Sequence, residues 1–129
     1  MNLPSDSWDQ SRALDAVGGD DEFLNELAAI FSAACPALLK SLEDSVAAKN
    51  CLSAADTARL LGRAAQNLAA TRFTEAALVV EKMARRNDLD DIGNACYVLH
   101  QEAGRLLDAL DDFIRGRSGL PGTPGPRKT

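Results

Sequence analysis

The amino-acid sequence predicts an all-α protein: an antiparallel four-helix bundle with a short N-terminal helix and a disordered C-terminal tail. Three observations carry that prediction. Apolar residues recur at helical spacing through five successive segments. Alanine and leucine, the strongest helix formers, run throughout the chain. No segment shows the alternation of a strand or the turn chemistry of a hairpin. Short connections between amphipathic helices join antiparallel neighbours, so the stripes bury against one another as a bundle.

The first helix is expected from Ser7, as cap, to Val17, with Trp8, Ala13, Leu14 and Val17 apolar and Gly18-Gly19 as the stop. Asp20 and Asp21 then offer a cap and favourable charge for a long helix. Its apolar stripe is read as Phe23, Leu27, Ile30, Phe31, Ala34, Leu38, Leu42 and Val46. Pro36 lies inside this pattern, and the apolar phase continues across it, which predicts a kink near Ser32 to Cys35 rather than a break. Lys49, Asn50 and Ser53 mark a turn before a third helix over 54–70, with Ala54, Ala58, Leu61, Ala65 and Leu68 inward. A tight turn at 67–71 leads to a fourth helix carrying Phe73, Ala76, Ala77, Val80, Met83 and Ala84 on one side, ended by Asn87 and Asp88. The last helix is expected from about Asp90 to Ile114, along Ile92, Cys96, Leu99, Ala103, Leu106, Leu107, Leu110 and Ile114. Residues 1–115 thus form one domain, and 116–129, rich in Gly and Pro and basic at the end, are expected to be a disordered tail.

A chain of 129 residues suits a single core, which buries roughly two-thirds of the surface of the unfolded chain. The formal net charge of −5 disfavours nucleic acid as main partner, because phosphate backbones select basic faces. Cys35, Cys51 and Cys96 are odd in number and far apart, which argues against a disulfide framework or a zinc site. The N-terminus lacks a basic stretch followed by an apolar region, and no apolar run approaches the roughly 18 residues of a membrane span. A cytoplasmic protein without membrane partners is the expectation.

The chemistry of common enzyme sites is not visible. There is no phosphate-cradling glycine loop, HExxH, GxSxG or EF-hand, so neither catalytic residues nor a cofactor nor a metal is expected. The acidic groups Asp88, Asp90, Asp91 and Asp108, Asp111, Asp112 read as helix-start charge and a solvated face. The single histidine, His100, falls off the core stripe of the last helix. More informative is the outer face of the third helix, where Arg59, Gly62, Arg63 and Gln66 align at i, i+3, i+4 and i+7. A glycine within a helix costs roughly 1 kcal/mol relative to alanine. Either the face is merely solvated, or it is a docking surface on which small Gly62 permits close approach while two guanidinium groups grip carboxylate or phosphate.

Read in order, the segments resemble the histidine-containing phosphotransfer (HPt) family from Trp8 to about Phe113. GGDDEFLNELAAIF (18–31) is similar to that family's opening GGD with its leucines and phenylalanine, and ACPALLKSL (34–42) resembles its A-P-x-L-L-x-x-L stretch. Residues 47–70 fit, without gaps, the central run A-H-x-L-K-G-S/A followed by a turn like N-L-G-A, and FTEAALVVEKMARRNDL (73–89) resembles the pattern ending in G-D-L. In this register Arg59 stands where the family places its phosphorylated histidine, with Gly62, Arg63 and Ala64 where it has lysine, glycine and a small residue. Sliding by one aligns Gly62 with the family glycine but puts Ala58 at the acceptor position and loses the Asn67-Leu68 match.

The resemblance implies an HPt-like bundle in a two-component phosphorelay, whose partners would be a response-regulator receiver or a histidine kinase. It does not imply phosphotransfer here, since arginine stays protonated and lacks the nucleophilic lone pair of imidazole. The expected function is a non-phosphorylatable adaptor or inhibitor that docks through Arg59, Gly62, Arg63 and Gln66. Two alternatives stay open at this point: phosphotransfer through His100, and a helical bundle that dimerises or scaffolds through another face.

Overall fold

The computed structural model describes residues 8–88 and 90–118, and within them five helices and no strand. They are α1 (Gln10–Ala16), α2 (Asp21–Ala47), α3 (Cys51–Gln66), α4 (Thr71–Arg85) and α5 (Ile92–Ser118). Three of the N-termini are closed by side chains: Asp9, Asp20 and Asn50 accept from the backbone N–H of Arg12, Phe23 and Ser53 at 3.0–3.1 Å. The C-termini of α2, α3 and α4 share one device, a left-handed residue just past the helix: Lys49 (φ 60°), Ala69 (φ 55°) and Asn87 (φ 60°). The next backbone N–H then reaches back five residues, Asn50 to Ser45, Ala70 to Ala65 and Asp88 to Met83, at 2.8–3.0 Å.

Several sequence expectations need correction. The cap of α1 is Asp9, and Ser7 lies outside the described residues. The stripe of α2 is displaced: Leu24, Ala28, Phe31, Cys35, Leu39, Leu42 and Ser45 are buried, whereas Phe23 and Ile30 are 46% and 65% exposed. This helix is apolar on most of its circumference, so several phases fit the sequence and packing alone chooses between them. Pro36, by contrast, sits exposed in an unbroken helix, in keeping with the expectation that the chain continues across it without a break. α3 stops at Gln66 rather than Ala70. α5 begins at Ile92 and carries on through Gly116 to Ser118, since a glycine at a helix end lowers propensity without forbidding the conformation. The rest of the expected tail, 119–129, lies outside the described residues.

Around the core, α2 touches α3 and α5, and α4 touches α3 and α5, which closes a ring; α1 packs against α2. α3 and α4 run antiparallel, as three pairings show: Cys51 Sγ to Asn87 Oδ1 at 2.7 Å, Arg85 to Asp56 at 3.8 Å, and the Cα hydrogen side of Gly62 towards Ala77. Phe31 and Phe73 meet edge to face at 5.4 Å in the middle. At one end Trp8 is buried, donates its indole N–H to the Leu68 carbonyl at 2.7 Å and packs edge to face on Phe113 at 5.3 Å. Glu102, the one buried carboxylate among the described residues, is neutralised by Arg72 at 3.5 Å and Arg105 at 3.3 Å.

By length and composition α2 could cross a membrane, its most apolar 18-residue window having a mean hydropathy of 1.3. The expectation that no apolar run approaches that length overlooked how far alanine raises hydropathy. In the structure the inner side of α2 is covered by α3 and α5, and its outer side carries exposed Glu22, Glu26, Lys40 and Asp44.

Candidate docking face on α3

The outward surface of α3 follows from its inward one. Ala54, Ala55, Thr57, Ala58, Leu61 and Ala65 are buried, so a 3.6-residue period sends Leu52, Asp56, Arg59, Leu60, Arg63 and Gln66 to solvent. The small inward side chains hold α3 close to its neighbours, and the exposed row is therefore carried on a helix fixed from behind.

Three of the four residues predicted for a docking face share this surface: Arg59, Arg63 and Gln66 are exposed. Gly62 is placed differently. It is half-buried at the seam with α4, where a Cβ would lie 3.5 Å from Ala77 Cβ, an ordinary contact distance. Its smallness serves the approach of α4 at least as much as that of any visitor. Sequence reasoning missed Leu52 and Leu60, which are 69% and 56% exposed and flank the arginines with apolar surface. Their signal was available: both are large apolar residues that break an otherwise clean stripe.

The electrostatics separate these arginines from most others. Arg72, Arg85, Arg105 and Arg115 are each in an ion pair, whereas Arg59 and Arg63 have no carboxylate partner among the described residues. The acid best placed to quench Arg59 is Asp56, one turn earlier, and it is drawn instead to Arg85. Chemically the face offers two guanidinium groups and the Gln66 amide, with no imidazole, thiol or hydroxyl nucleophile among its exposed residues.

His100 lies on the opposite side of the molecule, in the α2–α5 seam, with Nε2 against Glu43 Oε2. Burial pushes the Cys96 thiol, one turn earlier on α5, above its ordinary range, and the Glu43 charge adds to this. Cys35 in α2 is fully buried and pushed up to about 11 by desolvation. Thiols held protonated in this way are poor nucleophiles and poor metal ligands. Among the described residues no three His, Cys, Asp or Glu side chains are placed to hold a metal ion.

No protein-family model, curated protein or solved structure matches this chain at a significant level.

Proposed function

We propose that the protein is a non-phosphorylatable adaptor or inhibitor of a two-component phosphorelay in the cytoplasm, an antiparallel four-helix bundle of the HPt kind. It docks through the outer face of α3 on a response-regulator receiver or a histidine kinase. The single observation that carries this reading is the exposed pair Arg59 and Arg63, which no carboxylate among the described residues neutralises. Net charge is negative overall, so such a pair is a local exception suited to an acidic partner surface. Leu52 and Leu60 beside it supply the apolar area that a charged contact lacks.

The ring of contacts among α2, α3, α4 and α5 is what a four-helix bundle requires. Backbone geometry also supports the register that places Arg59 at the acceptor position. Ala69 is left-handed, the conformation for which glycine is suited, and it stands where the resembled N-L-G-A turn has its glycine. At Arg59 the guanidinium cannot attack a phosphoryl group, so the face binds without relaying. His100 is a poor substitute acceptor, because its Nε2 is buried against Glu43.

The experiment is a binding titration of receiver and kinase dimerisation domains with the wild-type chain and with Arg59→Glu combined with Arg63→Glu. The expected complex weakens as salt rises and is lost in the double variant. Unchanged affinity of the double variant for a receiver or kinase that binds the wild type would remove the α3 face from the proposal.

A further inference from the structure

We infer that the outer face of α2 is the seat of a second copy of this chain, held as an antiparallel helix pair in which Glu26 of each copy meets Lys40 of the other. This contact is separate from the docking face on α3 and needs no phosphorelay partner.

The face is defined by what α2 leaves uncovered. No charged residue lies between Glu26 and Lys40. Packing against α3 and α5 covers only part of this stretch: 28% of the most apolar 18-residue window is buried. Ile30 is 65% exposed, and Phe23, two turns nearer the N-terminus, is 46% exposed. Apolar surface of this extent on a small soluble chain marks an interaction site.

Spacing and charge together point to the occupant. Glu26, Ile30, Ala33, Ala37 and Lys40 are all exposed and fall at i, i+4, i+7, i+11 and i+14, the spacing of a seam between paired helices. Ala33 stands midway between the two charges. A two-fold axis through Ala33 therefore lays Glu26 against Lys40 of the second copy, and does so twice, with Ile30 over the small side chain of Ala37. A parallel pair would set Glu26 on Glu26 and Lys40 on Lys40, so the charges select the antiparallel arrangement. Alanine at the crossing lets the two backbones approach closely. Lys40 has an internal partner, Asp44 at 3.7 Å, but the two side chains are 76% and 69% exposed, and a solvated pair of this kind holds its lysine weakly. A lipid surface fits the face less well. Its flanks carry exposed Glu22, Glu26 and Asp44, where helices that lie on membranes carry lysine and arginine.

A contact along one helix, roughly 20 Å between its two charges, is at the small end of protein interfaces, so a dissociation constant on the order of 10 µM is expected. The test is sedimentation equilibrium of the full chain from about 1 µM to about 300 µM, on either side of that value. The wild type is expected to pass from the mass of one chain to that of two. Ala33→Glu puts two carboxylates together at the axis and should weaken association about a hundredfold or more. Glu26→Lys alone and Lys40→Glu alone each turn both attractive pairs into repulsive ones and should weaken it about tenfold, whereas the two changes combined restore it. Thermal unfolding should show these variants folded, since the three positions are exposed. The charge variants decide the point even if Ala33→Glu does not fold. The mass of a single chain at every wild-type concentration overturns the inference, as does a dimer that Ala33→Glu and the single charge changes leave intact. Association lost in Ala33→Glu but indifferent to the charge changes overturns the antiparallel register. A wild-type chain that stays single but floats with neutral lipid vesicles, and no longer does so as Ala33→Glu, overturns the inference and gives the face to a membrane.

Discussion

Two seams of the molecule are built on opposite principles. On α3 and α4 most buried residues are alanine, Ala54, Ala55, Ala58 and Ala65 on one helix and Ala76, Ala77 and Ala84 on the other, with Leu61, Phe73 and Val80 the larger exceptions, and the two helices approach at Gly62 and Ala77. On α2 and α5 large residues make up more of what is buried, Leu24, Phe31, Leu39 and Leu42 on one and Ile92, Leu99, Leu106 and Leu110 on the other, and polar groups meet between the two helices at Glu43 and His100. Small side chains bring helix backbones close and leave little to rearrange. Large ones fill space, and removing any of them leaves a void. The proposed docking face is carried on the outer surface of α3, beside the first seam, while His100, Glu43 and Cys96 come together at the second.

The largest expected effect lies in the second seam. Leu99 is fully buried, and Leu99→Ala should cost about 2–5 kcal/mol in denaturant unfolding, the usual range when a cavity is left. The first seam should fail in the other direction: Ala77→Leu inserts volume where Gly62 and Ala77 already approach, and should cost about 1–3 kcal/mol. If Ala77→Leu were neutral, the seam would be looser than described and the face it carries less rigid.

A third measurement separates the seams by pH. Below pH 9.0 the Cys35 thiol is protonated whether the chain is folded or not, so it contributes nothing to pH dependence. Above that, the unfolded chain releases the proton, whereas burial keeps the folded thiol protonated up to about 11. Stability present below pH 9.0 is therefore lost as pH rises towards about 11, and Cys35→Ala should flatten this limb of the unfolding curve. A limb as steep in Cys35→Ala as in the wild type would place its origin elsewhere.

The smallest effect has the opposite sign. Gly62→Ala adds a methyl group at ordinary contact distance from Ala77 and removes the entropic cost of glycine, so stability should rise by about 0.5–1 kcal/mol. A loss instead of a gain would show that α3 and α4 tolerate no added atom at that point.

The contrast between the seams also explains what was legible in the sequence. On α3 and α4 the apolar residues form a narrow stripe against charged surroundings, and the predicted inward residues from Ala54 to Ala84 are buried, apart from the partly buried Met83. The outward arginines follow from the same phase. On α2, charge is absent from Leu27 to Leu39, so periodicity had several solutions, and the bulkier Phe23 and Ile30 drew the reading to the exposed side. The position of Gly62 depends on how far α4 slides along α3, and the meeting of Glu43 with His100 depends on the pairing of α2 with α5. Neither quantity is a property of one helix. The end of α5 was misread for a local reason, since composition at Gly116 says how weakly a helix is favoured there but not whether the preceding turns carry it on.

Trp8 is the only tryptophan in the chain, and its two contacts join position 8 to Leu68 at the α3–α4 turn and to Phe113 near the far end of α5. A contact that spans so much of the chain carries a large loop-closure entropy until the intervening helices have already met. The order of events during folding follows: the α3–α4 hairpin, whose partners are neighbours in sequence, can close by itself, whereas the indole can settle only on a surface that α3 and α5 have first assembled. In time as well as in space, Trp8 is the clasp that fastens after the helices have closed.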